Sequence, residues 1–267
     1  MSHPGRDGFR PDPPPGGWPR SSSNNRGPLI AAHAVAMDRR YRFSRHFYDV
    51  TRRYSLLGRD KLLDKVVTSP ATATLEVGCG TARNLLELAA RSEPGRLYGL
   101  DASHAMLVTA ERSIRRTLGH RPGGKGIVLR QGLAEDLDAR RMFGCGDRFD
   151  TIFFSYSLSM TAAWPEALRA AFANLKPGGT LLIVDFWDQR DLPPLIAAGV
   201  KRCLALWRAG YRPDIHDALI GLGRSGRAEV RIESVARGYA YLATVRPTVG
   251  DERPSVAAIT GSETPAR

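Results

Sequence analysis

The chain has 267 residues, 42% of them apolar, enough to bury one α/β core, and no window that approaches the length of a bilayer-spanning helix. Its three cysteines, Cys79, Cys145 and Cys203, are odd in number and lack C-x-x-C spacing, which argues against a disulfide framework or a structural zinc centre and suits a reducing cytoplasm. Lys and Arg total 39 against 27 Asp and Glu, a net +12 that draws polyanions; nucleic acid and an anionic membrane are the two candidate partners, and arginine bias from a GC-rich genome is the reading that needs none.

Residues 1 to 36 form an arm with Pro13-Pro14-Pro15-Gly16-Gly17 and Ser21-Ser22-Ser23-Asn24-Asn25, too poor in apolar side chains to fold, so disorder is expected. The stretch Leu29 to Met37 is short, contains His33 and follows proline, so no signal peptide is expected either. A single domain is predicted over 37–246, with a flexible tail over 247–267. Inside the domain, strand-like and helix-like segments alternate, the pattern of a parallel sheet wrapped by helices. Strands are predicted at Ala73 to Val77, Leu97 to Leu100, Ile127 to Arg130, Phe149 to Phe154 and Thr180 to Phe186. Between them, helices run over Ala82 to Arg91, from a Ser103 cap to Gly119, and from Pro165 as the first helical residue. Val230 to Ala236 and Tyr239 to Val245 read as a hairpin closing the sheet at its edge, giving a doubly wound, Rossmann-like sheet of seven mostly parallel strands.

Glu76-Val77-Gly78-Cys79-Gly80-Thr81-Ala82 falls where the first strand meets the first helix, the place where an open parallel sheet binds ligands. Gly78 and Gly80 leave the backbone bare for close approach of a nucleotide, and Glu76 puts an acid beneath the loop. Asp101, ending the second strand, is placed to accept both ribose hydroxyl protons, so the pair points to an adenosine ligand. The loop lacks the G-x-G-x-x-G register of a dinucleotide site and carries its acid two positions before the first glycine. With Leu175-Lys176-Pro177-Gly178-Gly179 ahead of the fifth strand, these details favour S-adenosylmethionine over a dinucleotide.

On these motifs the chain resembles the class I S-adenosylmethionine-dependent methyltransferases. The resemblance implies that Glu76, Gly78, Cys79, Gly80, Asp101, Ala102, Ala134, Glu135 and Ser155 hold the cofactor. Two positions depart from the family. Ala82 replaces its third glycine, which tightens the loop without abolishing it, and Leu133 replaces the Asp often found after the third strand, leaving adenine to the Ala134 backbone and Glu135.

The segment Tyr41 to Asp60 precedes the sheet and has two aromatic faces on helical spacing, Phe43, Phe47, Val50 and Tyr54 on one and Tyr41 and Tyr48 on the other. Both pack on the domain, or tyrosines turn toward the site, where their ring faces favour a methylated ammonium. His46, Tyr48 and Tyr156 are the candidates to select or deprotonate an acceptor amine. Together with Gly78 to Asn84, Ser155-Tyr156-Ser157-Leu158-Ser159-Met160 and Asp185-Phe186, this segment is similar to the bacterial betaine-lipid N-methyltransferases, over roughly Asp38 to Val245. That resemblance implies three methylations of the amine of diacylglyceryl-homoserine, with Arg53 or Arg59 suited to the substrate carboxylate and Tyr54 beside them.

From Leu195 to Arg212, the residues Ile196, Val200, Cys203, Leu204 and Trp207 share one helical face flanked by Lys201, Arg202 and Arg208, which suits either a membrane interface or a helix packed on the sheet. The leading expectation is therefore a methyltransferase of a lipid amine, peripheral at the inner membrane face. The alternatives are methylation of another amphiphile, phosphatidylethanolamine or a quinone precursor, and an RNA-associated methyltransferase or binder, against which stands the lack of any base-flipping or RNA-binding motif.

Overall fold

A computed structural model describes residues 57–91, 95–119, 126–146, 148–206 and 210–248. The N-terminal arm, His46, Tyr48, Arg53, Tyr54 and Trp207 lie outside the described residues, as does the side chain of Cys203.

A short helix, α1 (Arg59–Lys65), leads into β1 (Ala73–Val77), α2 (Arg83–Ala89), β2 (Arg96–Asp101), α3 (His104–Leu118) and β3 (Ile127–Gln131). The chain continues through α4 (Ala139–Phe143), β4 (Phe149–Ser155), α5 (Trp164–Ala173), β5 (Leu175–Phe186), α6 (Pro194–Leu206) and α7 (Pro213–Arg224), and closes with β6 (Ala228–Val235) and β7 (Ala240–Pro247). The seven strands form one sheet in the order β3-β2-β1-β4-β5-β7-β6. Neighbours from β3 to β5 pair in parallel, and β7 runs antiparallel to both β5 and β6, so a single strand is reversed. This is the seven-stranded, Rossmann-like α/β sheet expected from the sequence.

The burial of each strand follows its place in the sheet. β1, in the middle and covered on both faces, is apolar or buried at every position, whereas the edge strand β6 alternates and exposes Glu229, Arg231 and Glu233. Helices then build one apolar cluster on each face. α5 and α7 join Leu75, Ile152 and Ile183 on one side, while α1, α2 and α3 join Phe153, Leu182 and Val184 on the other. Alternation along each strand sends neighbouring residues to opposite clusters. Ser103 caps α3 by accepting the Met106 N–H, and Gly119 ends that helix at a φ of +60°.

Several elements differ from the sequence reading. Lys176 to Gly179 do not form a separate turn before β5 but bulge within it: Phe149 pairs with Leu175, and the next pair is Thr151 with Thr180. Pro165 is the second helical residue, after Trp164. Helix α7 has no counterpart in the sequence reading; Gly221 and Gly223 lower its propensity, and burial of Ile215, Ala218, Leu219 and Leu222 offsets that, with Gly223 letting β6 approach at Val230. The helix expected from Leu195 to Arg212 is shorter, and its apolar residues divide: Val200 and Leu204 pack on the core, while Leu195 and Ile196 are 89% and 55% exposed. β7 runs through Pro247, and the Thr248 hydroxyl donates to the Gly226 and Arg227 carbonyls. Among the described residues no helix is long and apolar enough to cross a membrane.

Candidate cofactor cleft

Because β1, β2 and β4 are parallel neighbours, their C-terminal ends fall side by side, and the loops leaving them frame one cleft of about 290 Å³. The loop after β1 supplies Gly78 and Gly80, the end of β2 supplies Asp101 and Ala102, the chain after β3 supplies Gly132 to Glu135, and the chain after β4 supplies Ser157 and Met160 to Ala163. Backbone bonds fix the first two loops to each other: the N–H groups of Gly78 and Cys79 both donate to the Leu100 carbonyl, at 2.7 and 3.1 Å.

Asp101 occupies the centre of this frame. Its Oδ2 accepts the Gly80 N–H at 2.7 Å and its Oδ1 accepts the Ser103 N–H at 2.9 Å. A carboxylate has about four acceptor sites, and the backbone bond on each oxygen orients the group. Glu76 is buried beneath the loop rather than in the cleft wall, and its Oε1 accepts the Asn84 amide at 2.7 Å, tying the end of β1 to the first turn of α2.

Gly78 is needed for two separate reasons. Its φ of +75° lies in the left-handed region, and a Cβ there would sit 2.4 Å from the Cβ of Ser157. Ser157 in turn donates its hydroxyl to the Val77 carbonyl at 2.7 Å, so the β1 and β4 loops touch across the floor of the cleft. Ala82, at the family's third glycine, is fully buried and also left-handed, with φ +60°. The substitution therefore holds the tight conformation at a steric cost of about 1 kcal/mol.

Of the residues anticipated for the cofactor, Gly78, Gly80, Asp101, Ala102, Ala134 and Glu135 line the cleft, and Glu76, Cys79 and Ser155 stand behind it. Cys79 turns its sulfur toward Leu85 and Gly99, and burial, followed by the charges of Asp101 and Glu76, pushes its thiol well above the ordinary range. Ser155 is buried at the end of β4, with no hydrogen-bond partner for its hydroxyl among the described residues. Tyr156 is also outside the cleft lining: its hydroxyl donates to the Leu57 carbonyl at 2.5 Å, its ring packs on Phe186, and burial raises its phenol well above the usual value. Arg59, the first residue of α1, is buried close enough to Tyr156 to oppose that rise. Leu133, Met106, Ser157, Met160 and Thr161 join the wall without having been anticipated as site residues. Ser157 and Met160 did stand in a motif singled out in the sequence; the apolar Leu133 and Met106 carried no chemical signal.

A bare loop after β1, a backbone-held carboxylate ending β2 and one reversed strand beyond β5 define a class I methyltransferase, and these residues suit S-adenosylmethionine, whose ribose needs paired acceptors and whose sulfonium needs an uncrowded turn. A model of the methyltransferase domain matches residues 68–212. The chain is 29% identical over 128 residues to a demethylmenaquinone methyltransferase of Desulfitobacterium hafniense and 28% identical over 117 residues to one of Symbiobacterium thermophilum, alignments that cover 48% and 43% of this chain. They take in 47% and 43% of those relatives, so the chain spans about half the length of the curated proteins it matches. The crystal structure of a SAM-dependent methyltransferase from Aquifex aeolicus shares the fold, with a TM-score of 0.51 and 20% identity over 74% of this chain and 93% of that one. The chain belongs to the methyltransferase domain family, and its cofactor is S-adenosylmethionine.

Proposed function

We propose that this protein transfers methyl groups from S-adenosylmethionine to an amphiphilic acceptor, a lipid amine of the diacylglyceryl-homoserine type, at an anionic membrane surface. The observation that carries the cofactor half is the Asp101 carboxylate, fixed by Gly80 and Ser103 in the cleft wall. In this reading Asp101 accepts the ribose hydroxyl protons, and the backbone around Ala102 and from Gly132 to Glu135 holds the adenine, with Leu133 and Met106 against its faces. Gly78 and Gly80 keep side chains away from the methionine portion, while Glu76 and Cys79 support that loop from behind.

The cofactor supplies an already activated methyl on a sulfonium, so the protein's work is to align the acceptor and exclude water. Val77, Leu100 and Met160 give the cleft apolar walls that serve the second purpose. With its hydroxyl committed to Leu57, Tyr156 acts as a support joining the chain before α1 to the end of β4, and selection of the neutral amine falls to His46 or Tyr48. Buried Arg59 belongs with that support, which leaves Arg53 and Tyr54 for the acceptor headgroup.

The acceptor half rests on α6. That helix follows β5, whose C-terminal end points the same way as those of the strands that frame the cleft, and its first turn exposes Leu195 and Ile196, with exposed Lys201 and Arg202 one to two turns on. Exposed apolar side chains on this helix and a chain of +12 suit a substrate embedded among anionic lipids. A second reading, methylation of a quinone precursor, is favoured by the two curated relatives, which are named for demethylmenaquinone. Expression in a host that accumulates the unmethylated homoserine lipid, and separately in a host lacking its menaquinone methyltransferase, distinguishes them. Lipid mass spectra gaining one, two or three methyls in the first host support the amine; restored menaquinone in the second supports the quinone and ends the amine reading.

A further inference from the structure

Asp185, the penultimate residue of β5, lies on no wall of the cleft, yet it is 1% exposed and makes more polar contacts than a strand residue in that place needs. Its Oδ1 accepts the Ser159 hydroxyl at 2.7 Å and the Phe186 N–H at 2.9 Å, and its Oδ2 accepts the Ser159 N–H at 2.9 Å. Ser159 is the middle residue of a single 3₁₀ turn, Leu158–Met160, which is flanked by the cleft residues Ser157 and Thr161 and ends on Met160, itself in the wall. One carboxylate thus grips the hydroxyl and the backbone of the residue around which the wall facing Asp101 and Ala102 is folded.

We propose that Asp185 is a positioning residue: through its paired bonds to Ser159 it holds the Ser157–Thr161 wall in the place that closes the cleft on the cofactor. The inference rests on the reading of this cleft as the S-adenosylmethionine site. Two further features agree with it. The other end of the same turn is pinned by the Ser157 hydroxyl on the Val77 carbonyl, next to Gly78, and by the buried side chain of Leu158, so Ser159 is the hold on the side toward Met160 and Thr161. And burial pushes the Asp185 carboxyl up to about 6, opposed by the bonds from Ser159 and Phe186 and by Arg212, so at neutral pH the protein keeps a charge in its interior at a cost in stability. The groups that face it are Tyr156 after β4 and Tyr241 from β7, both with phenols raised chiefly by burial and further by the Asp185 charge, and Arg212 from the chain before α7, which is itself paired with Asp214. Arg212 is the cation among them that favours the ionised form.

Calorimetric titration with S-adenosylmethionine and S-adenosylhomocysteine from pH 5 to 8.5 tests this on the full chain and on Asp185→Asn and Ser159→Ala. The wild-type affinity should fall as the pH drops through about 6, as the carboxylate gains a proton and loses its hold on Ser159. Asp185→Asn should bind about tenfold more weakly at pH 8 and show no step near pH 6, whereas Ser159→Ala, which keeps the backbone bond but loses the hydroxyl that favours the charged carboxylate, should be weakened with its step moved to higher pH, the split a merely structural role does not produce. Wild-type affinity and pH profile in Asp185→Asn overturn the proposal; should that variant not fold, unchanged affinity in Ser159→Ala does so. A wild type that binds neither ligand removes the site reading and this inference together, while wild-type binding with indifferent variants removes this inference alone.

Discussion

Asp101 accepts the Gly80 N–H at 2.7 Å, so the carboxylate that ends β2 and the bare loop that follows β1 are parts of one rigid unit. Removing the carboxylate therefore does more than delete the proposed ribose contact. Asp101→Ala should abolish measurable binding of S-adenosylmethionine and also leave the Gly80 and Ser103 N–H groups without their acceptor, costing about 1–3 kcal/mol in denaturant unfolding. Undiminished calorimetric affinity contradicts the ribose assignment.

Gly78→Ala sets a Cβ 2.4 Å from that of Ser157 at a φ of +75°. Either problem alone is costly, and neither neighbour is the flexible end of a long side chain. The variant should lose about 2 kcal/mol or more of stability together with cofactor binding. Adding Ser157→Gly should recover part of the stability, because it relieves the contact but not the dihedral; a double variant no better than the single one places the strain elsewhere.

Asp185 makes stability depend on pH with a definite sign. A carboxyl whose folded value is raised to about 6 stabilises the fold most when protonated, below its ordinary value, and that contribution is lost as pH rises through about 6. Asp185→Asn removes the penalty. Relative to wild type it should gain little near pH 4 and progressively more toward pH 8, where the difference is bounded by roughly 3 kcal/mol less the weaker hydrogen bonds of an amide. Urea unfolding at pH 4, 6 and 8 reads this directly, and a difference that does not grow with pH counts against ionised Asp185 in the native state.

Liposome flotation addresses the acceptor surface. Binding should rise with the anionic lipid fraction, weaken with salt, and drop severalfold when Leu195 and Ile196 are replaced by Ser, with the unfolding midpoint unchanged because both side chains are exposed. Absence of co-flotation by the wild type at low salt ends the membrane reading.

Cys79 supplies a check on packing. Its buried thiol, held well above the ordinary range, should resist alkylation at pH 8 until the protein unfolds. Rapid modification of the folded protein at this residue means the loop opens more readily than its hydrogen bonds imply.

The cofactor loop, Asp101, the strand series and the closing hairpin were all legible in the sequence because each depends on local chemistry: glycines where φ is positive, an acid at a strand end, apolar runs of strand length. Helix α7 escaped because its two glycines oppose helix formation and only burial against the sheet overcomes them. The division of α6 into packed Val200 and Leu204 and exposed Leu195 and Ile196 was equally out of reach, since a helical wheel gives a common face but not what covers it.

What the sequence by itself determined is the fold class and the pair of residues, Gly78 and Asp101, that come together in the cleft, because backbone freedom and charge at strand ends are properties of a few adjacent residues. Which side chains face the cleft and which stand behind it was decided only in three dimensions. Tyr156 and Ser157 are neighbours in the chain, yet one donates to Leu57 before α1 and the other closes the cleft floor against Val77. Ser159 meets Asp185 only because parallel pairing of β4 and β5 sets the ends of distant segments side by side, and no local pattern encodes that pairing.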